Sequence, residues 1–120
     1  MIAESSSNAV DLELSYQGPG FATEIWGVLQ ANFMLAIRGE SLREMAVNVG
    51  PPVAAFVVEQ SGHEDTPGFR DEIARALGEC RVNQLHARGH QIDAVETISM
   101  DLLNREHELL ACALAELAND

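Results

Sequence analysis

The sequence predicts a mainly α-helical domain: a bundle of four or five helices with one short strand near the N-terminus. Apolar residues recur at three- and four-residue steps through several long segments, and glycine and proline separate these segments. The chain has 120 residues, which is enough for one domain with a substantial hydrophobic core. We expect this domain to cover residues 10–120, after a polar, serine-rich leader at residues 1–9.

The first predicted element is a strand at residues 10–16. Its apolar residues alternate with acidic and hydroxyl side chains, and they are Val10, Leu12, Leu14 and Tyr16. A two-residue period is typical of a strand with one buried face, although a short helical turn is an alternative for the same residues. The Gly18-Pro19-Gly20 run is expected to end the element.

Two helices are predicted next, at residues 21–37 and 41–49. In the first, apolar side chains three or four residues apart form one face, and they are Trp26, Leu29, Phe33 and Ile37. Gly39 follows, and glycine is common where helices end. In the second, Ser41 is expected to cap the first turn, and Glu44 stands where it would complete a capping box.

Three segments in the second half of the chain are also predicted to be helical. Residues 53–60 are short and apolar, and they favour a helix that begins at the preceding two prolines, with a buried strand as the alternative. Thr66 and Pro67 mark the start of a helix that extends to about Arg88, where Gly89 breaks it. The longest predicted helix covers residues 91–117.

The charge and the basic residues of the chain exclude several classes of function. The net charge is −12, from 19 acidic residues and seven basic ones, all of which are arginine. The absence of lysine excludes Schiff-base chemistry and a phosphate-loop lysine. An acidic surface repels DNA, RNA and anionic lipid, so we expect no direct contact with nucleic acid or with membranes. No signal peptide and no apolar segment of about 20 residues is visible, which predicts a cytoplasmic location.

No catalytic motif is present, and the sequence predicts a protein that is not an enzyme and has no catalytic residues. Neither a nucleophile elbow nor a phosphate-cradling glycine loop can be found. Residues 41–60 have the spacing of a helix-turn-helix unit, with Ala46 and Gly50 four residues apart and Phe56 following. The second helix of that unit would carry no positive charge, which argues against DNA binding.

The residues that commonly bind metals do not form a recognisable motif. Cys80 and Cys112 both lie in apolar helical patterns, where we expect free, buried thiols rather than a zinc-type pair. His86 and His90 are four residues apart and Glu96 is a possible third ligand, but Gly89 is expected to end the helix between the histidines. The sequence therefore predicts no metal and no cofactor.

A protein-binding role is the interpretation that these observations favour. We expect a small acidic regulator of the anti-activator or inhibitor type that binds and occludes another bacterial protein. Its target is expected to have a basic surface, as a DNA-binding protein does. The candidate contact residues are aromatic or apolar side chains on helical faces together with one acid, and they are Trp26, Leu29, Phe33, Ile37, Phe56 and Glu106. The alternative is a homo-oligomeric helical bundle with a structural or small-ligand-binding role.

Glu106 is singled out because it interrupts an apolar stripe. A carboxylate in such a place is costly unless it is paired or reaches water, so an arginine partner is expected, with Arg75, Arg81 and Arg88 as candidates. The functional interpretation is an ion pair across an interface. A homodimer is also expected, since a lone strand and a helix that is apolar on two sides both require a partner.

Overall fold

A four-stranded mixed sheet forms the centre of the protein in the computed structural model, which describes residues 11–20 and 28–118. The strands are β1 (Leu12–Pro19), β2 (Leu29–Ile37), β3 (Arg43–Val49) and β4 (Val95–Ile98). The helices are α1 (Pro51–Ser61), α2 (Pro67–Ala87), α3 (Met100–Arg105) and α4 (His107–Ala118). The prediction of a mainly α-helical bundle is therefore wrong, and the fold class is α+β.

The strand order in the sheet is β1-β2-β3-β4. The first three strands form an antiparallel meander, and β4 pairs with β3 in parallel after the two helices α1 and α2. The prediction of a strand at the start of the domain is confirmed, although β1 continues through Gly18 to Pro19. The pairing register shifts between Tyr16 and Gly18, and Gly18 takes a positive φ of 117° there. The predicted leader at residues 1–9 lies outside the described residues.

The predicted helices at residues 21–37 and 41–49 are wrong wherever the chain is described. Residues 29–37 and 43–49 are β2 and β3, and Gly39, with a φ of 85°, lies in the turn that joins them. Leu29 and Phe33 satisfy a helical period and a strand period equally, because a spacing of four residues is common to both. The neighbouring positions distinguish the two periods, since Ala31, between them, and Leu35, two residues after Phe33, are buried as well.

The two helices that follow β3 confirm the predictions for that part of the chain. The first begins at Pro51 and ends before Gly62, whose φ is 75°. The second begins after Thr66, whose hydroxyl accepts a hydrogen bond from the Phe69 amide at 3.1 Å. It ends at Ala87, just before Gly89.

The long helix predicted at residues 91–117 is wrong, since this segment forms a strand and two separate helices. Residues 95–98 pair with β3, and the hydroxyl of Ser99 then accepts the Leu102 amide at 3.2 Å and caps α3. A second break follows at Glu106, whose φ of −114° and ψ of 76° are not helical. Two local backbone interruptions therefore divide what the apolar spacing alone presents as one helix.

Helix α2 packs across the inner face of the sheet and organises the core. Gly78 of α2 lies against Phe33 and Val47 on the two central strands. At the sheet edge, the Tyr16 ring lies 5.6 Å from that of Phe33, and the Arg75 guanidinium lies 5.1 Å from the Tyr16 centroid. The buried side chains of α1 and α4 join this same core. Among the described residues, no helix is both long and apolar enough to cross a membrane.

A disulfide joins α2 to α4. Cys80 and Cys112 are bonded, their α-carbons lie 6.1 Å apart, and no free cysteine remains. The prediction of two free thiols is wrong because the packing of α4 against α2 places together two residues that are 32 positions apart. Cys80 is buried, as expected, whereas Cys112 is exposed.

Candidate functional site

The face of the sheet opposite α2 carries side chains that are half-buried or exposed, and we call it the open face. Because side chains alternate along a strand, every second residue lies on the open face and the residues between them form the core. The two central strands supply Gln30, Asn32, Met34, Ala36, Glu44, Ala46 and Asn48. The two edge strands supply Glu13, Ser15, Gln17, Val95 and Thr97.

Strand register brings an apolar strip to the centre of the open face. Ala46 lies opposite Asn32 on one side and opposite Val95 on the other. Met34 lies in the next row, opposite Glu44. Val95 is 53 % exposed, which makes it one of the two large apolar side chains of the described chain that face solvent so fully. A short apolar strip thus crosses three strands.

Amide side chains border this strip. The side-chain amide of Gln30 donates a hydrogen bond from Nε2 to the side-chain Oδ1 of Asn48 at 2.8 Å, and this bond joins β2 and β3. A depression of about 420 Å³ lies over part of the apolar strip, and the residues that line it include Gln17, Asn32 and Met34. Amides donate and accept hydrogen bonds at neutral charge. The depression therefore suits a partner that offers backbone or amide groups together with apolar side chains.

The electrostatics of the open face follow from its composition. None of its described residues is basic, and Glu13 and Glu44, on β1 and β3, are acidic and exposed. Such a surface repels phosphate groups and attracts arginine and lysine. Its chemistry is that of hydrogen bonding, apolar contact and charge pairing.

The structure does not gather the contact residues predicted from sequence into one surface. Leu29 is 5 % exposed and Phe33 only 1 %, and both lie in the core beneath the sheet. Ile37 and Phe56 are half-buried and pack against the same core, one from β2 and the other from α1. Trp26 lies outside the described residues.

Glu106 is paired within the chain. Its Oε1 accepts a hydrogen bond from Arg88 Nη2 at 2.8 Å, and the same guanidinium nitrogen contacts Glu108 at 2.9 Å. The Gln84 amide donates a further bond to Glu106 at 3.1 Å. The Arg88 bond holds the pKa of the Glu106 carboxyl below its ordinary value. Of the three arginines considered from sequence, Arg88 is the one that forms this ion pair.

The structure does not group the histidine pair considered from sequence with Glu96 as a set of three potential metal ligands. His86 lies near the end of α2, His90 follows the break at Gly89, and Glu96 accepts the Asp93 amide at 2.9 Å. Within residues 11–20 and 28–118, one group of three potential ligands has all its ligand atoms within 4.8 Å of one another, and its members are Cys80, Cys112 and Glu116.

Sequence reasoning missed the residues that form the open face. The signal that could have identified them is the alternation along β2 and β3, where the even-numbered positions carry mainly small, amide and acidic side chains and the residues between them are buried. Comparison with protein-family models, with curated proteins and with solved structures found no match for the chain. A function for this chain is therefore inferred from the geometry and chemistry of the site alone.

Proposed function

We propose that the protein is a small, non-enzymatic regulator that binds another protein through the open face of its sheet. The observation that carries the proposal is the composition of this face: an apolar strip between amides, bordered by carboxylates and with no basic side chain among its described residues. Sheet faces and edges of this kind bind partners by hydrogen bonding and apolar contact. The regulator covers its target and occludes it.

The partner in this proposal has a basic surface. The chain carries a net charge of −12, and the exposed Glu13 and Glu44 border the apolar strip. Complementary charge accelerates encounter and selects among partners more than it adds affinity. A DNA-binding protein, whose nucleic-acid surface is positive, fits this description.

The proposal also includes a cytoplasmic homodimer. In the described sheet, β1 is an edge strand of eight residues, and edge strands offer backbone groups for pairing with a second chain. Sedimentation at micromolar concentration tests this part separately. A monomer would remove the dimer from the proposal and leave the open face unaffected.

The test is affinity capture from the native host with two variants of equal charge change. Ala46→Arg places a long cation in the centre of the open face, and Asn104→Arg adds the same charge on α3, where Asn104 is exposed. We expect one dominant partner to be retained by the wild type and by Asn104→Arg, and to be lost from Ala46→Arg. Glu44→Gln, at an exposed position of the open face and with the same charge change of +1, replaces Ala46→Arg if that variant has a lower unfolding midpoint.

Three results would overturn the proposal. They are full retention of the partner by both open-face variants, capture of no partner, and capture of only a second copy of the chain. Salt dependence provides a further check, since binding to a basic surface should weaken as ionic strength rises. An affinity that does not change with salt would contradict the basic partner.

A further inference from the structure

The disulfide that joins α2 to α4 has a carboxylate at its sulfur atoms. Glu116 Oε2 lies 3.2 Å from Cys80 Sγ and 4.0 Å from Cys112 Sγ. Cys112 and Glu116 are four residues apart on α4, so both side chains project from the same face of the helix. Cys80 approaches from α2, which gives three potential ligands from two helices.

We propose that, once the disulfide is reduced, this cluster binds a thiophilic divalent cation of the zinc class. Zinc binds cysteine sulfur at about 2.3 Å and carboxylate oxygen at about 2.0–2.2 Å in tetrahedral geometry. These bond lengths place a sulfur and an oxygen ligand about 3.5 Å apart. The two sulfur–oxygen distances in the structure, 3.2 and 4.0 Å, lie on either side of that value.

The cluster is open to solvent on the side of α4. Cys112 is exposed, so a cation can reach the sulfurs from solvent. Beside Glu116, a hollow of about 100 Å³ is lined also by Glu72, Arg75 and Glu79. Three protein ligands with a fourth position for water are the arrangement known from catalytic zinc sites.

The chemistry balances in two steps. A cellular dithiol reduces the Cys80–Cys112 bond by supplying two electrons and two protons, and is itself oxidised to a disulfide. The cation then displaces the two thiol protons and binds the two thiolates and the Glu116 carboxylate. The α-carbons of Cys80 and Cys112 lie 6.1 Å apart, and we expect rotation about the Cα–Cβ bonds to separate the sulfurs without a movement of α2 or α4. Disulfides rarely persist in a reducing cytoplasm, and the metal form is the one expected there.

The reduced state in the cell rests on the proposed cytoplasmic location, whereas metal binding by the reduced protein does not, and cobalt binding tests it directly. Protein reduced and desalted under anaerobic conditions is titrated with Co²⁺, whose thiolate charge-transfer and visible bands report sulfur ligands and tetrahedral geometry. We expect one Co²⁺ per chain, displacement by Zn²⁺, and no binding to the oxidised protein. Glu116→Gln should weaken the affinity by about tenfold or more, and Cys112→Ser should abolish tight binding.

The matched control is Glu108→Gln, which removes the same charge one helical turn before Cys112 on α4. We expect it to bind Co²⁺ with wild-type affinity. The proposal is overturned if no charge-transfer band develops, if Glu116→Gln binds as tightly as the wild type, or if Glu108→Gln is weakened equally. Circular dichroism of each reduced variant shows whether a loss of binding occurs in folded protein.

Discussion

Gly78 of α2 faces the ring of Phe33 of β2 at a distance that only glycine permits. A β-carbon at position 78 would lie 2.7 Å from Phe33 Cε2 and 2.9 Å from Phe33 Cζ. Contacts this short require a shift of the buried ring or of the helix. The missing side chain of Gly78 thus sets how closely α2 approaches the sheet.

We expect Gly78→Ala to lower the free energy of unfolding by about 1–3 kcal/mol, because overpacking outweighs the gain in helix propensity. Gly68→Ala on the same helix is the control, since a β-carbon there would meet nothing within 4 Å. The control should be neutral or stabilised by up to about 1 kcal/mol. Urea unfolding measures both, and equal stability of the two variants would contradict this account of the packing.

Phe33 and Met34 are neighbours in sequence that face opposite sides of the sheet. Phe33 is 1 % exposed, whereas Met34 is half-buried on the open face. We expect Phe33→Ala to cost about 3–5 kcal/mol in unfolding free energy, as for other buried aromatic residues. Met34→Ala should cost less than about 1 kcal/mol. Similar losses for the two variants would mean that the faces of β2 are assigned incorrectly.

The disulfide should stabilise the fold by restricting the unfolded chain. Cys80 and Cys112 are 32 positions apart, and we expect Cys112→Ser to lower the unfolding free energy by about 2–4 kcal/mol under oxidising conditions. The measurement is guanidinium unfolding with a chelator present. In excess dithiol the wild type should fall to the stability of the variant. A difference that persists in reductant would have a cause other than the disulfide.

The Glu106–Arg88 pair should produce a pH dependence of stability on the acid side. The hydrogen bond from Arg88 and the positive charge of Arg88 lower the pKa of the Glu106 carboxyl in the folded state. The stability that this pair adds is therefore present above the ordinary carboxyl pKa and is lost as the pH falls through the lowered folded-state pKa. Glu106→Gln should be less stable than the wild type at neutral pH, and the difference should vanish in acid.

Glu108→Gln is the control for this measurement. Glu108 contacts the same guanidinium, but its side chain is 76 % exposed, against 21 % for Glu106. Because water screens the charge of Glu108, Glu108→Gln should lower the stability less than Glu106→Gln does at every pH. Thermal melts from neutral to acidic pH compare the two variants, and a larger effect of Glu108→Gln would reverse the order of the two pairs.

Local signals in the sequence were enough to predict the helices between β3 and β4. Pro51, the Thr66 cap and Gly89 each act on the backbone within a turn of their own position. In β2, Leu29 and Phe33 satisfy a helical and a strand period equally, and in β3 the expected cap at Ser41 and Glu44 favoured a helix. The identity of both strands is decided by pairing with distant residues, which a single sequence does not display.

The candidate sites depend on the same non-local information. Ala46 and Val95 become neighbours only through the register of β3 and β4, which residues 50–94 separate. Cys80, Cys112 and Glu116 come together only because α4 packs on α2. Leu29 and Phe33, which sequence reasoning favoured as contact residues for their apolar character, lie in the core instead.

The parallel pairing of β4 with β3 also constrains how the chain folds. The meander of β1, β2 and β3 needs only short connections, whereas β4 can join the sheet only after two helices have closed a long loop. Until then, the edge of β3 stays open for another chain to pair with. We therefore expect completion of the sheet to be a slow, late event in folding, during which crowded conditions would favour strand exchange between molecules.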